Sequence, residues 1–238
     1  MSPDVSPAIT FVVCHGAWSS GWAWKKMHPL MRSRGHQLFT PSYTGLGERS
    51  HLARPEVDLE THIADAVNVL VYEDLRDVVL VGHSYGGMVA TGVADRARDR
   101  VRRLVYLDAF VPEDGQSLLD LTGDSASVRA SAIDGWRVPP RPLPADTPPG
   151  DIPWISARRL HQPIATIEQP LRLVNGALTL PRDYILCTKS DTFRRFAEKA
   201  AAAGWGVHTL DASHNPHITM PAQLAELLER IGLRSDRR

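Results

Sequence analysis

The sequence predicts an α/β fold, a mostly parallel, doubly wound sheet with helices on both faces, in a single domain over residues 1–238. Three observations predict it. Continuous apolar runs bounded by turn residues recur along the chain, and amphipathic helical patterns lie between them. The length of 238 residues, 43% hydrophobic, supplies one sizeable core and leaves little for a second. Runs that are apolar at every position, rather than at alternate ones, are what strands buried on both faces require.

Taken in order, residues 9–14 form the first strong strand. A Gly/Trp-rich loop follows, then a helix from about 22 to 34 that stops at Gly35. Residues 36–40 make a short strand, and 59–72 a helix with Ile63, Val67, Leu70 and Val71 on one face. The run 77–81 is the least interrupted in the chain and is expected at the centre of the sheet. A helix over 84–98 turns Met88, Val89 and Val93 inward, and 101–107 is the neighbouring strand, ending at Asp108. Strands at 184–187 and 207–210 flank a helix carrying Phe193, Phe196 and Ala200. The last helix runs from Pro221 to Gly232, with Leu224, Leu227, Leu228 and Ile231 at helical spacing.

The alternation fails between 113 and 181, and seven prolines fall within 139–153, a density that forbids a long helix or a central strand. This segment is expected to be an inserted lid, with short helices around 125–133 and 155–161 and with Trp136, Trp154 and Ile155 packing on the body.

Composition narrows the function classes. The chain has 27 basic and 27 acidic side chains, so no net field draws it to nucleic acid or to an anionic membrane surface. No apolar run reaches membrane-spanning length, residues 1–8 lack a basic-then-apolar leader pattern, and a cytoplasmic location is expected. Residues 234–238 read as a solvated basic tail. Cys14 and Cys187 stand at the ends of apolar runs and read as buried thiols, so neither a metal nor any other cofactor is expected. The expected partner is a small-molecule substrate, and a homodimer is left open.

Chemistry concentrates in Gly82-His83-Ser84-Tyr85-Gly86-Gly87, a GxSxG pattern placed after a buried strand and before a helix. That context makes Ser84 the candidate nucleophile on a strained turn, with small residues two positions to either side. The plain alternative is a tight turn with Ser84 capping the helix. A serine hydroxyl needs a base, and His214, directly after the last strand, is the candidate, with His217 its nearby competitor. His51, His62 and His161 are assigned no role. His15-Gly16-Ala17-Trp18 follows the first strand, where one oxyanion-hole N–H arises; Ala17 is the candidate there, and Tyr85 supplies the second donor. His15 is read as holding the loop in shape. Trp18, Trp22, Trp24, Tyr106, Phe110, Trp136 and Trp154 are candidates for pocket walls.

The strings HGAWSSGWAW, GHSYGG and SHxPHxxxP, spread over residues 9–112 and 183–230, resemble the small bacterial and plant esterases that include methylsalicylate-type methylesterases and hydroxynitrile lyases. The resemblance implies the α/β-hydrolase fold and a Ser-His-Asp triad. In the lyases a threonine stands at the position of Gly16 and a lysine at that of Asn215, so this chain departs from them toward esterases. The plant members place the acid three residues beyond the position of Cys187, which here is Ser190, with Asp191 one step later. Two acids are therefore open: Asp108, at the end of the strand beside the elbow strand, and Asp191, which also reads as a helix cap. The expected function is a serine carboxylesterase acting on a small uncharged ester. A non-catalytic small-molecule receptor and a lyase-like enzyme on the same fold are the alternatives.

Overall fold

A computed structural model of the chain describes residues 7–234, so the sequence readings of the first residues and of the tail beyond Arg234 lie outside the described part. Six parallel strands form the main sheet: β1 (Thr10–Cys14), β2 (Gln37–Phe39), β3 (Val78–His83), β4 (Val101–Leu107), β7 (Arg182–Cys187) and β8 (Gly206–Leu210), in the order β2-β1-β3-β4-β7-β8. A two-stranded antiparallel ribbon, β5 (Arg137–Val138) with β6 (Gln162–Pro163), stands apart from it. Every residue of β3 is buried, and its register sets Leu80 between Val12 and Leu104 and Val81 between Val13 and Val105.

The two-residue period of the strands divides the core. Phe11, Val13, Val79, Val81, Val105 and Leu107 face one side, packed under α1 (Met27–Ser33) and α10 (Pro221–Gly232). Val12, Cys14, Leu80, Leu104 and Tyr106 face the other, packed under α2 (Leu59–Tyr72), α3 (Gly86–Arg96) and α8 (Arg194–Ala202). The chain is thus an α/β-hydrolase-type doubly wound sheet. Cys14 and Cys187 are free and buried at the last positions of β1 and β7. Among the described residues no helix is long and apolar enough to cross a membrane.

Two local expectations are corrected. The helix expected over 22–34 is broken into a 3-10 turn (Gly21–Trp24) and α1, with Trp24 of the turn and Met27 and Met31 of α1 all buried in the same core. In α2 the buried face is Leu59, His62, Ile63, Ala66 and Leu70, while Val71 is 43% exposed. The stripe is narrower than the apolar pattern, since Val71 lies a full step of 100° beyond Leu70.

The segment 113–181 contains α4 (Leu118–Thr122), α5 (Ser125–Ser131), α6 (Ile152–Ser156) and α7 (Ala165–Glu168) besides the ribbon. Of these, α5 and α6 overlap the short helices expected from sequence. The helix α4 was signalled by Ser117 and Asp120, which form a reciprocal capping box, and by Gly123 closing it at φ +70°. The short helix α9 (Pro216–Thr219) follows His214 and leads into α10.

Candidate active site

All the candidate site residues emerge at the carboxyl ends of the sheet strands, after β1, β3, β4, β7 and the edge strand β8, where open α/β sheets bind ligands. Ser84 follows β3 at φ +56°, a left-handed conformation that a non-glycine residue adopts only under constraint. The flanking sequence supplies that constraint. A Cβ on Gly86 would lie 1.9 Å from the Cys14 carbonyl oxygen, and one on Gly82 would lie 2.8 Å from the Gly86 carbonyl oxygen. Only glycines allow β1, β3 and α3 to approach so closely. Asp108, directly after β4, is likewise at φ +43°, and Trp18, after β1, at φ +59°. Three of the six non-glycine positive-φ residues of the described chain thus line a single cavity.

Asp108 is 1% exposed. Its Oδ2 accepts a hydrogen bond from His214 Nδ1 at 2.7 Å, and its Oδ1 accepts the backbone N–H of Cys187 at 3.1 Å. Since a carboxylate only accepts, the proton of a neutral His214 sits on Nδ1 and Nε2 is left as a free lone pair. The imidazole is held flat against Phe193, with centroids 4.9 Å apart and planes at 2°. Its main-chain carbonyl accepts from His83 Nε2 at 2.7 Å. Burial, reinforced by His214 and His217, holds His83 well below the usual histidine range, so it stays a neutral donor.

The competing candidates are placed differently. His217 lines the same cavity but is 2% exposed, stacked on Trp24 at 4.6 Å, with no partner for Nδ1 among the described residues. Burial and then His214 push it down to about 3. Asp191 is not brought to His214: it is exposed and pairs with Arg194, Oδ1 to Nη2 2.6 Å. It does not cap α8 either, where Phe193 holds the N-cap position.

His15 donates from Nδ1 to the Gly16 carbonyl at 2.9 Å and accepts the Tyr43 N–H at Nε2, 3.3 Å. Burial lowers it to about 4, so it shapes the loop as a neutral ring. The amide N–H groups of Ala17 and Tyr85, both lining the cavity, donate to no protein acceptor among the described residues. His62, given no role from sequence, is fully buried beside this loop: Nε2 donates to the Thr44 carbonyl at 3.0 Å and Nδ1 accepts the Tyr85 hydroxyl at 2.9 Å.

The cavity holds about 890 Å³ and runs from Ser84 outward beneath the 113–181 segment. Trp18, Trp22, Phe110 and Phe193 line it, whereas Trp24 and Tyr106, expected as pocket walls, are core side chains at 0% and 1% exposure. Trp136 and Trp154 are outside the lining; Trp154 packs edge-on against Trp22 at 5.1 Å. Sequence reasoning missed Phe193 as a wall for the imidazole, having read it as a helix core residue, and missed His83 altogether. The signal for His83 was its position beside Ser84 at the end of a buried strand.

The family model described as the alpha/beta hydrolase family matches residues 11–227. The chain belongs to that family. It is 41% identical over 239 residues to a carbendazim hydrolyzing esterase of Nocardioides sp. (strain SG-4G), covering 93% of this chain and 99% of that one. A pyrethroid hydrolase of Sphingobium wenxiniae is 28% identical, covering 91% and 85% of the two chains. Among solved structures, an extracellular α/β-hydrolase from a Paenibacillus species superposes with a TM-score of 0.80 at 26% identity, over 93% of this chain and 98% of that one. The activity class this hydrolase shares with its relatives is carboxylic ester hydrolysis.

Proposed function

We propose that the chain is a serine carboxylesterase in which Ser84 is the nucleophile, His214 the general base and Asp108 the acid that orients it. The observation that carries this reading is the 2.7 Å bond from His214 Nδ1 to Asp108 Oδ2, made beside a positive-φ serine in one cavity. Asp108 fixes the tautomer that leaves Nε2 free to accept the serine proton and stabilises the imidazolium that results. The Ser84 alkoxide adds to the ester carbonyl carbon, and the charge that develops on the carbonyl oxygen is met by the unused N–H groups of Ala17 and Tyr85. Collapse expels the alcohol, which takes its proton from His214. Water, deprotonated by the same imidazole, then releases the acid and regenerates Ser84.

The substrate is an uncharged ester with a compact apolar part, aromatic or alkyl. Support comes from the aromatic lining and from a volume within the usual range for small-molecule sites, about 300–1,000 Å³. The 113–181 segment acts as the lid over it. The names of the relatives, which hydrolyse carbendazim and pyrethroids, fit an aromatic ester. Gly16 favours hydrolysis over lyase chemistry: a Cβ there would stand 3.1 Å from His83 Nδ1 and 3.2 Å from Ser84 Cβ, so a threonine has no room without a shift of the elbow. The test is turnover of p-nitrophenyl butyrate. Wild type should exceed Ser84→Ala by several orders of magnitude; equal rates would favour a binding protein.

A further inference from the structure

The ribbon β5/β6 grips the loop that carries the Ala17 donor. Trp18, the next residue, is bulky yet left-handed at φ +59°, a strained conformation that persists only where its surroundings enforce it. Its backbone N–H donates to Gln162 Oε1 at 3.1 Å, and its indole Nε1–H donates to the Val138 carbonyl at 3.0 Å. Val138 and Gln162 are register partners in the ribbon, so one rung holds both N–H groups of Trp18. The Arg159 guanidinium closes over the indole at 5.9 Å.

Gln162 is itself fully buried and fixed at its other end. Its Nε2 donates to Thr166 Oγ1 at 2.7 Å, and that hydroxyl donates to the Pro163 carbonyl at 2.6 Å. Thr166 also interacts with the phenol of Tyr85, whose hydroxyl is bonded to His62. The short stretch from Gln162 to Thr166 therefore reaches the loop of one oxyanion donor and the side chain of the other.

We infer that Gln162 is a positioning residue: by holding the Trp18 amide it locks the left-handed turn after Ala17 and so fixes the direction of the Ala17 N–H. The inference rests on the oxyanion role proposed for Ala17 and Tyr85. Without the Gln162 acceptor, Trp18 relaxes toward negative φ and the 17–18 peptide turns; carried back through the Ala17 backbone torsions, this tilts the 16–17 peptide, and the Ala17 N–H leaves the developing charge. Such a loss is felt in the transition state and not in ground-state binding, so kcat falls while KM holds.

The test compares wild type, Gln162→Met and Thr166→Val in p-nitrophenyl butyrate turnover, thermal melting and inhibition by two probes, phenethyl trifluoromethyl ketone and phenethyl alcohol. With the ketone, Ser84 Oγ bonds to the carbonyl carbon, the C=O π pair becomes an oxyanion and the serine proton passes to His214 Nε2. The alcohol only fills the pocket. For Gln162→Met we expect kcat about 10–100-fold lower, a fraction of the loss for deleting a donor outright, with KM within about 3-fold. Ketone inhibition should weaken in step with kcat and alcohol inhibition should not change. Thr166→Val, which frees the far end of Gln162, should show the same pattern with a smaller loss. A folded Gln162→Met with wild-type kcat, or ketone and alcohol inhibition weakened equally, would overturn the inference. If Gln162→Met does not fold, the same two readings on Thr166→Val decide. A wild-type enzyme that binds the ketone no more tightly than the alcohol overturns the oxyanion reading itself, a separate result.

Discussion

His214 Nδ1 donates to Asp108 Oδ2 over 2.7 Å across 106 residues of sequence, while the other oxygen of the same carboxylate accepts the Cys187 N–H at 3.1 Å. The carboxylate is thus anchored by the neighbouring strand before it orients the imidazole. Asp108→Asn keeps the shape, but its amide can present a donor to Nδ1 and reverse the tautomer. We expect kcat to fall about 10³–10⁴-fold with the melting temperature little changed. Asp191→Asn, which removes only an exposed pair with Arg194, should stay within about 2-fold of wild type. Steady-state kinetics on the two variants checks both.

Acid should destabilise the fold well above the range where carboxylates titrate. Burial holds His15 at about 4, His62 and His217 at about 3, and His83 well below its usual range. Folded pKa values below the unfolded one, about 6.5, mean that the unfolded chain binds more protons. The stability from these rings is complete above pH 6.5 and is lost as pH falls from there toward 3–4. The melting temperature should drop by at least roughly 10 °C between pH 7 and pH 5. Calorimetry across that window checks it, and His217→Asn should flatten the slope by one proton's share.

Gly86 tests the elbow. Because its Cβ position overlaps the Cys14 carbonyl oxygen, Gly86→Ala forces β1 and α3 apart and should lower stability by more than about 3 kcal/mol. Gly115→Ala, in a left-handed turn with nothing within 4 Å of the added methyl, should cost about 1 kcal/mol. Denaturant titration of the two variants gives the comparison.

The central sheet and the elbow were legible because both leave local marks. A strand buried on two faces is apolar throughout, and Gly82-x-Ser84-x-Gly86 encodes a crossing too close for a Cβ. The residue ranges of α2, β4 and α10 follow equally from apolar periodicity, with Pro221 opening α10. What sequence left open depends on distance in space. Asp108 and Asp191 look alike as strand-end and helix-start acids, and the strand order β4-β7-β8, with the loop after β8 folded back, puts Asp108 beside the imidazole. The rung between Val138 and Gln162 is two residues per strand, too short to leave any alternation, and it lies amid prolines. Phe193 carried a true core signal, which masked its second contact with His214.

Covalent labelling measures directly whether His214 activates Ser84. Fluorophosphonate should modify the active protein once, at Ser84, as read by peptide mass spectrometry; Ser84→Ala should take no label and His214→Asn should label at least about 10²-fold more slowly. An active enzyme labelled elsewhere or not at all, or His214→Asn labelling at the wild-type rate, would contradict it.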